Sequence, residues 1–382
     1  MTKRVYLDNA ATTELDPNVL EAMIQIMRED FGNPSSTHSF GRKTKGAIET
    51  SRKKIASLIN AKSSEIIFTS GGTEADNLAI ASAVLDLGVK HIISSCIEHH
   101  AVGHTIENMC AKTNVNHSMV NLTANGHVDM SHLEELLSKN PNSLVSLMHA
   151  NNEIGNLLDL DKTGELCAKY NAFFHSDTVQ TMGHYALDVQ RSKINFLTCG
   201  AHKFHGPKGV GFLFKSEKLK INPLIHGGAQ ERNLRGGTEN LYGIVGMARA
   251  LEIACAEMAD HAAHISGLKT YMINSLKRDI PGVEFNGDYN GQSLYTVLNV
   301  SFPPNANNDM LLFKLDINGI AASGGSACSS GSNKGSHVLE ALRVDPNRVN
   351  IRFSFSKYTQ KDDIDYAVEK LCEILEIKAV AK

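Results

Sequence analysis

The stretch that decides the fold runs from residue 199 to residue 209 and reads Cys-Gly-Ala-His-Lys-Phe-His-Gly-Pro-Lys-Gly. Largely apolar runs at 194–197 and 210–214 flank it, and both have the length and composition of buried strands. The turn between them is too rich in glycine for us to predict a helix. Its lysine, Lys203, is either a solvated loop residue or an amine held for Schiff-base chemistry, and this stretch alone leaves both interpretations open.

Working outward from this turn, predicted strands and helices alternate along the chain. Strands are expected at 65–70, 91–95, 144–148 and 173–176, and helices after Pro17, at about 41–59 and at 74–87. The first of these helices is expected to place one apolar face inward, formed by Val19, Leu20, Met23, Ile26 and Met27. The alternation predicts an α/β domain over residues 15–250, with a large, mixed, mostly parallel sheet.

The order of elements changes after residue 214. A long helix at about 241–278 leads into strands at 295–302, 319–322 and 349–355 and helices at 308–315 and 361–377. We expect these elements to form a smaller α+β domain from residues 1–14 and 251–382. The domain carries a loop at 323–335, predicted to be mobile, in which Cys328 is surrounded by glycine, serine and alanine. A cysteine on such a loop is a candidate nucleophile, whereas Cys167, Cys255 and Cys372 are interpreted as core residues.

Composition restricts the compartment and the partners. The formal net charge of −3 gives no reason to expect binding to nucleic acid or to a membrane surface. The seven cysteines are an odd number without a C-x-x-C pair, which indicates a reducing compartment. The N-terminus has no signal-type stretch, and no apolar run approaches the roughly 20 residues of a membrane span. We therefore expect a cytoplasmic protein.

Polar groups follow several of the predicted strands. They are the glycine turn 71–73, His99, Asn152, Asp177, Gln180 and Lys203. Because ligands bind beyond the carboxyl ends of the strands in an open α/β sheet, we expect these groups to form a single site. The turn 71–73 precedes a helix and would present free N–H groups to a phosphate, although a plain strand-to-helix turn explains it equally well. Neither a dinucleotide fingerprint nor a P-loop lysine is present.

Three histidines near a glutamate raise the possibility of a metal site. His99, His100 and His104 follow Glu98 directly. The order H-E-x-x-H is absent, and no pair of cysteines or histidines has zinc-finger spacing. We predict no metal site.

At this point the chain resembles the cysteine desulfurases, pyridoxal 5′-phosphate (PLP) enzymes with the class V aminotransferase fold. The resemblance covers nearly the whole chain, because its motifs recur in the same order. They are 6–13 (YLDNAATT), 32–36 (GNPSS), 70–74 (SGGTE), 98–99 (EH), 151–155 (NNEIG), 177–180 (DTVQ), 201–203 (AHK), 235–238 (RGGT) and 325–328 (GSAC). The resemblance implies the PLP-dependent transferase fold of type I, similar to aspartate aminotransferase. The long Ser/Gly loop resembles the NifS/IscS type, group I.

The resemblance also implies roles around the cofactor ring. Lys203 would hold PLP as a Schiff base and move the substrate α-proton. Asp177 would pair with the pyridinium nitrogen, which keeps the ring an electron sink. His99 would stack on the ring and assist proton transfer. Gln180 would donate a hydrogen bond to the phenolic oxygen, with Asn152 nearby.

Further roles concern the phosphate and the substrate. Thr73, His202 and the backbone of Gly72 would bind the phosphate, and Thr238 would reach it from the other subunit of a homodimer. Arg352 would bind the substrate carboxylate through its bidentate fork, with help from Asn33 and Asn152.

The implied reaction converts L-cysteine to L-alanine and leaves the sulfur on Cys328 as a persulfide. The sulfur then passes to an acceptor protein, by analogy an iron–sulfur scaffold. Two departures from the family limit this analogy. Gly200 stands where many relatives have a phosphate-binding serine, and the chain ends at Lys382, soon after its last helix, without the longer C-terminal tail of some relatives.

Several alternatives remain open from the sequence. A selenocysteine lyase or a cysteine C–S lyase would have the same fold, although Cys328 in its loop argues against a lyase that needs no thiol. A non-catalytic sulfur carrier would not need Lys203, Asp177 and His99. A zinc protein would use the histidines at 99–104.

Overall fold

The computed structural model describes residues 3–305, 310–324 and 335–377. Cys328, the predicted nucleophile, lies outside the described residues. In chain order, the strands are β1 (Val5–Tyr6), β2 (Ile66–Thr69), β3 (His91–Ser94), β4 (Asn116–Met119), β5 (Leu144–Ser146), β6 (Phe173–Asp177), β7 (Phe196–Gly200), β8 (Gly211–Lys215), β9 (Glu284–Phe285), β10 (Val297–Phe302), β11 (Ile320–Ala321) and β12 (Val349–Ser354).

Helices surround these strands. They are α1 (Pro17–Glu29), α2 (Ser39–Leu58), α3 (Gly72–Leu85), α4 (His100–Lys112), α5 (Met130–Lys139), α6 (Leu160–Lys169), α7 (Leu241–Ala256), α8 (Met258–Asp279), α9 (Leu311–Ile317), α10 (His337–Ala341) and α11 (Lys361–Ile374). Within the described residues, no helix combines the length and apolar character that crossing a membrane would require.

The large sheet has the strand order β2-β8-β7-β6-β5-β3-β4. The strand β8 is antiparallel to both of its neighbours, and the other pairs are parallel. This sheet confirms the predicted α/β class with a mixed, mostly parallel sheet. Alternate side chains of each strand pack into different cores: Phe212 and Phe214 of β8 face the core that contains α1, α2 and α7, and Leu213 faces the core that contains α3 and α4. Helices on both faces explain why the central strands of this sheet are buried on both sides.

The second layer is built around an antiparallel sheet of order β12-β10-β9. A separate apolar core joins this sheet to α8 and α11, and it includes Val5 and Leu7 from the start of the chain. The first strand, β1, pairs in parallel with β11. The N-terminal segment therefore packs with the C-terminal elements, although the exact division of the chain into two domains stays a prediction.

The structure corrects three local predictions. The turn that contains Lys203 includes a 3₁₀ helix, Ala201–Lys203, because its glycines lie outside the three residues that form it. The long helix predicted at 241–278 is two helices, α7 and α8, which meet at Glu257 and pack against different layers. In α1, Val19 is buried, but Leu20 and Met27 are 44% and 47% exposed in the single chain.

A buried ion pair fixes the segment that leads to Thr238. Both guanidinium nitrogens Nη1 and Nη2 of Arg52, on α2, donate to the carboxylate of Glu231 at 2.7 Å. The same carboxylate accepts the backbone N–H of Phe68 at 2.8 Å. Glu231, Arg232 and Asn233 have φ values of 43°, 58° and 65°, which cost free energy for residues other than glycine. We infer that the ion pair holds this left-handed stretch against β2 and α2.

Replacement of Glu231 by alanine tests this inference. The variant Glu231→Ala leaves the Arg52 guanidinium buried without its carboxylate, so we expect the free energy of unfolding to fall by about 3–5 kcal/mol. Urea unfolding of the whole chain measures the change. The control is Glu49→Ala, which removes the half-exposed second partner of Arg52 and should cost less than about 1 kcal/mol. Equal losses in the two variants would contradict the inference.

Candidate active site

A cavity of about 210 Å³ opens at the carboxyl end of the large sheet. The end of β6, the start of α3, the 3₁₀ turn after β7 and β12 of the second layer all contribute to its wall. The lining residues are Ala10, Ala11, Gly72, Thr73, Asp76, His99, Met148, Ala150, Asn152, Asp177, Val179, Gln180, His202, Lys203 and Arg352. The polar groups that follow the predicted strands therefore meet in one cavity, as expected from the sequence.

The amine of Lys203 lies against the N-terminal segment. Its Nζ donates to the carbonyl oxygens of Ala10 at 2.5 Å and Ala11 at 2.9 Å. The backbone N–H and the hydroxyl of Thr13 both donate to the carbonyl of His202, at 2.9 and 3.0 Å, and thereby join the same segment to the lysine turn. The amine thus has a defined position inside the cavity.

Asp177, at the end of β6, is a buried acid of the cavity wall. Burial, and after it the charge of the neighbouring Asp76, raise its pKa to about 7. The backbone N–H of Val179, at 2.9 Å from Oδ1, and the charge of Lys203 act in the opposite direction. Such a buried acid is suited to pair with a cation that enters the cavity, because the cation would restore its negative charge.

His99 caps the N-terminus of α4. Its Nδ1 accepts the backbone N–H of Ala101 at 3.1 Å, so the proton of the neutral ring lies on Nε2. Burial, and then the charge of Lys203, lower the pKa of His99 to about 4. The ring therefore enters the cavity as a neutral imidazole at physiological pH.

The start of α3 provides a place for an anion. Gly71 precedes the helix with φ of 154° and ψ of −176°, a conformation that is essentially restricted to glycine. The first N–H groups of α3, at Gly72 and Thr73, lie at the cavity wall and are not used by the helix itself. His202 lies opposite, where its Nδ1 is 3.2 Å from the hydroxyl of Thr12.

Arg352 and Gln180 complete the wall on the side of the second layer. The guanidinium of Arg352 is 1% exposed, and it donates to the carboxylate of Asp8 at 2.9 Å and to the backbone oxygen of Asn152 at 2.8 Å. Its Nε is buried without a hydrogen-bond partner. Gln180 donates from Nε2 to the carbonyl of Ala10 at 3.1 Å. An anionic group in the cavity could use the remaining donors of Arg352.

Most of the predicted site residues lie in this one cavity, but three do not. Asn33 is exposed and does not line the cavity; its side-chain oxygen accepts the N–H of Ser35 at 2.9 Å. Thr238 is exposed and lines a separate cavity of about 160 Å³ with Arg235 and Asn240. Cys328 lies outside the described residues. A single chain thus does not bring Asn33 or Thr238 to the site.

Sequence reasoning missed three features of the site. Asp76 lines the cavity from α3, Asp8 holds Arg352, and the carbonyls of Ala10 and Ala11 hold Lys203. The signal for Asp76 was available, since it is an acid one turn after the glycine turn, in a helix that continues as a largely apolar run. Backbone carbonyls leave no signal in a sequence.

Comparisons with known proteins agree with this geometry. Residues 5–367 match the family model of the class-V aminotransferases. The chain is 44% identical to the cysteine desulfurase IscS of Dictyoglomus turgidum, over 98% of this chain and 95% of that protein. Among solved structures, a NifS-like protein has a TM-score of 0.90 at 36% identity, covering 98% of this chain and 100% of that one. The structure of SspA in complex with cysteine has a TM-score of 0.80 at 31% identity and covers 93% and 100%.

Proposed function

The chain belongs to the class-V aminotransferase family, as one of its cysteine desulfurases, and we propose that it transfers the sulfur of L-cysteine to its own Cys328 with the help of PLP. The observation that carries this proposal is the convergence of an amine, a buried acid, a neutral imidazole, an anion site and an arginine in one cavity. Segments that are far apart in the sequence supply these five groups. The fold type predicted from the sequence is that of the family.

The groups in the cavity fit PLP, because each polar part of the cofactor has a residue of suitable chemistry. Lys203 supplies an amine for the aldehyde, Asp177 an acid for the ring nitrogen, and the start of α3 with Thr73 and His202 an anion site for the phosphate. When bound, PLP supplies an electron sink for charge that develops on the substrate. Asp177 would keep the ring nitrogen protonated, and its burial strengthens that interaction because little water competes.

Two residues would handle protons at the reacting atoms. Lys203 is positioned by the Ala10 and Ala11 carbonyls and would move the α-proton of the substrate through Nζ. His99 presents a neutral ring with its proton on Nε2, and this ring would lie against the cofactor and assist the transfer. Gln180 would donate to the phenolic oxygen, with Asn152 beside it.

Arg352 would bind the carboxylate of L-cysteine. Asp8 and the backbone of Asn152 hold the guanidinium from one side, so its orientation is set before the substrate binds. Its Nε, which is buried without a partner, supports this assignment. The predicted help from Asn33 would require that residue to approach the cavity, where the single chain does not place it.

Cys328 would receive the sulfur. Its Sγ forms a bond to the substrate sulfur, the bond from that sulfur to Cβ breaks, and the electron pair of the broken bond takes up a proton to complete the methyl group of L-alanine. The enzyme is left with a persulfide, whose outer sulfur then passes to an acceptor protein. By analogy with the family, that acceptor is an iron–sulfur scaffold.

A second copy of the chain would complete the site. Thr238 is exposed in the single chain and does not line the active-site cavity of that chain. This position supports the proposal that Thr238 reaches the phosphate bound by the partner subunit. The exposed Leu20 and Met27 of α1 are apolar surface that a homodimer would cover. The enzyme would act in the cytoplasm, the reducing compartment that its cysteine content predicts.

The first test measures L-alanine and sulfide formed from L-cysteine in the presence of a thiol reductant. We expect Cys328→Ala to lower both products by at least about a hundredfold, because the acceptor of the sulfur is lost, while bound PLP keeps its visible absorption. The control Cys110→Ala removes a half-buried cysteine of α4 and should retain the parent rate. Lys203→Ala should lose the visible absorption as well as activity.

The outcomes separate the alternatives. Continued release of alanine by Cys328→Ala at the parent rate would favour a C–S lyase. A preference for selenocysteine that persists in Cys328→Ala would favour a selenocysteine lyase. A parent chain that binds no PLP and forms no alanine would indicate a non-catalytic carrier.

The glycine at position 200 generates a second prediction. Gly200 has φ of −130° and ψ of 123°, which serine adopts readily, and a Cβ added there would lie 3.4 Å from the N of Gly72 and 3.7 Å from Val179. We therefore expect Gly200→Ser to donate one more hydrogen bond to the phosphate and to slow the loss of PLP roughly fivefold, equivalent to about 1 kcal/mol.

Absorption during dialysis against a PLP-free buffer measures this rate. The matched control is Gly200→Ala, which adds the same Cβ without the hydroxyl and should leave the rate unchanged. Equal rates for the serine and alanine variants would contradict the prediction.

A further inference from the structure

Asp76 is an acid of the cavity wall to which neither the family motifs nor the proposed reaction assigns a role. It lies in the first turns of α3 and is 1% exposed. One of its carboxylate oxygens, a carboxylate oxygen of Asp177 and a ring nitrogen of His99 all lie within 4.8 Å of one another. Its Oδ1 is buried without a hydrogen-bond partner. Two buried carboxyl groups this close cannot both carry a negative charge without a compensating cation.

The sheet explains why these groups meet. The side chains of His175 and Asp177 point to the same face of β6, because residues two apart share a face. The pairing of β5 and β6 places Ser146 opposite His175, and the pairing of β6 and β7 places Thr198 opposite Asp177. This face is covered by α3, so Asp76 reaches the strand ends from above.

The surroundings of Asp76 provide no cation. Among the described residues, the one basic side chain within 4.0 Å is His175, whose Nε2 is 3.4 Å from Oδ1. His175 is fully buried between the hydroxyls of Ser146, at 2.8 Å from Nδ1, and Thr198, at 3.1 Å from Nε2. Burial lowers the pKa of His175 to about 4, so its ring is neutral.

The other charged groups around the pair favour ionisation of Asp177 instead. The charge of Lys203 acts on Asp177, and the backbone N–H of Val179 donates to it. Glu98, which accepts the backbone N–H of Met148, supplies no cation, and burial raises its pKa to about 8 as well. The neutral ring of His99 adds no charge. The ring nitrogen of PLP, on the proposed function, would also meet Asp177.

We propose that Asp76 is a positioning residue that keeps its proton at neutral pH, so that Asp177 is the only member of the pair to carry negative charge toward the ring nitrogen of the cofactor. The carboxyl of Asp76 lies beside the Nε2 of His175, at 3.4 Å from Oδ1, and beside the Thr198 hydroxyl, whose hydrogen bond is the one contact that lowers its pKa. Burial raises the pKa of Asp76 to about 8, in agreement with this assignment. This assignment for Asp76 rests on the proposed function in one respect only: the cation that Asp177 meets is taken to be the ring nitrogen of PLP.

The test compares Asp76→Asn with the parent in thermal unfolding between pH 5 and pH 8, on the full chain with and without added PLP. A folded-state pKa raised from about 4 to about 8 means that the parent loses stability as the pH rises through this window. Asparagine does not titrate. We therefore expect Asp76→Asn to have a higher melting temperature than the parent, by a difference that grows from pH 5 to pH 8.

Two further variants make the result independent of a single substitution. Asp76→Ser, which is smaller and also uncharged, should show the same growing difference even if the cavity it leaves lowers both melting temperatures. The control Asp362→Asn removes an exposed acid of α11 and should show no trend over this pH range. A lower melting temperature for Asp76→Asn that does not recover toward pH 8 would overturn the proposal, because it would mean that Asp76 is charged and paired. One equivalent of a divalent metal in the purified protein, lost in Asp76→Asn, would overturn it as well.

The binding of PLP separates this proposal from the proposed function. We expect Asp76→Asn to keep the dissociation constant of PLP within about twofold of the parent, since the neutral acid is replaced by a neutral amide, and Asp177→Asn to raise it at least tenfold. Unchanged binding by Asp177→Asn would contradict the placement of the ring nitrogen, whereas the pH trend of the melting temperature would still decide the state of Asp76. Weakened binding by Asp76→Asn to the level of Asp177→Asn would overturn the proposal.

Discussion

The cavity depends on one short segment, residues 5–13, which begins as strand β1, turns at residues 9–11 and connects the two layers of the protein. Val5 and Tyr6 form a two-stranded parallel sheet with β11, and the carbonyl of Leu7 accepts the N–H of Ser354, on β12, at 2.7 Å. A few residues further along, the carbonyls of Ala10 and Ala11 hold Lys203. Without this segment, the lysine would lose the acceptors that position it, and Arg352 would lose Asp8.

Backbone groups hold this segment as much as side chains do. Its position therefore depends less on the identity of its side chains than on the position of the second layer. The hydroxyl of Ser354 accepts the N–H of Ala10 at 2.8 Å, and the side chain of Asn9 donates to the carbonyl of Ser354 at 2.9 Å. A shift of the second layer relative to the large sheet would therefore move the acceptors of Lys203 and the carboxylate that orients Arg352 together. The amine and the guanidinium are thus coupled through the same few residues.

The fold could be predicted well from the sequence, because the apolar strands and their glycine turns follow simple periodic rules. The break between α7 and α8 could not, since neither glycine nor proline marks Glu257 and only the packing of the two helices against different layers separates them. The exposed Leu20 and Met27 show a related limit: periodicity identifies an apolar face, but it does not say whether the same chain or another chain covers that face. The site residues that could be predicted are those in recognisable motifs, whereas the Ala10 and Ala11 carbonyls required coordinates.

The polarity of the cavity determines how a ligand with two anionic ends and one cationic ring atom can bind. The start of α3, the turn with His202 and the end of β6 with Asp177 belong to the large-sheet layer, whereas Arg352 comes from β12 of the second layer. Burial lowers the pKa of His99 and His202 to about 4, so that near neutral pH these two rings are uncharged and the charges of the cavity belong to its acids, Lys203 and Arg352. The anionic ends of such a ligand would then bind at the start of α3 and at Arg352, and its cationic ring atom at Asp177. A reversed orientation would place an anion against Asp177. Because charges interact strongly where water is scarce, this arrangement selects one orientation without requiring a large contact surface.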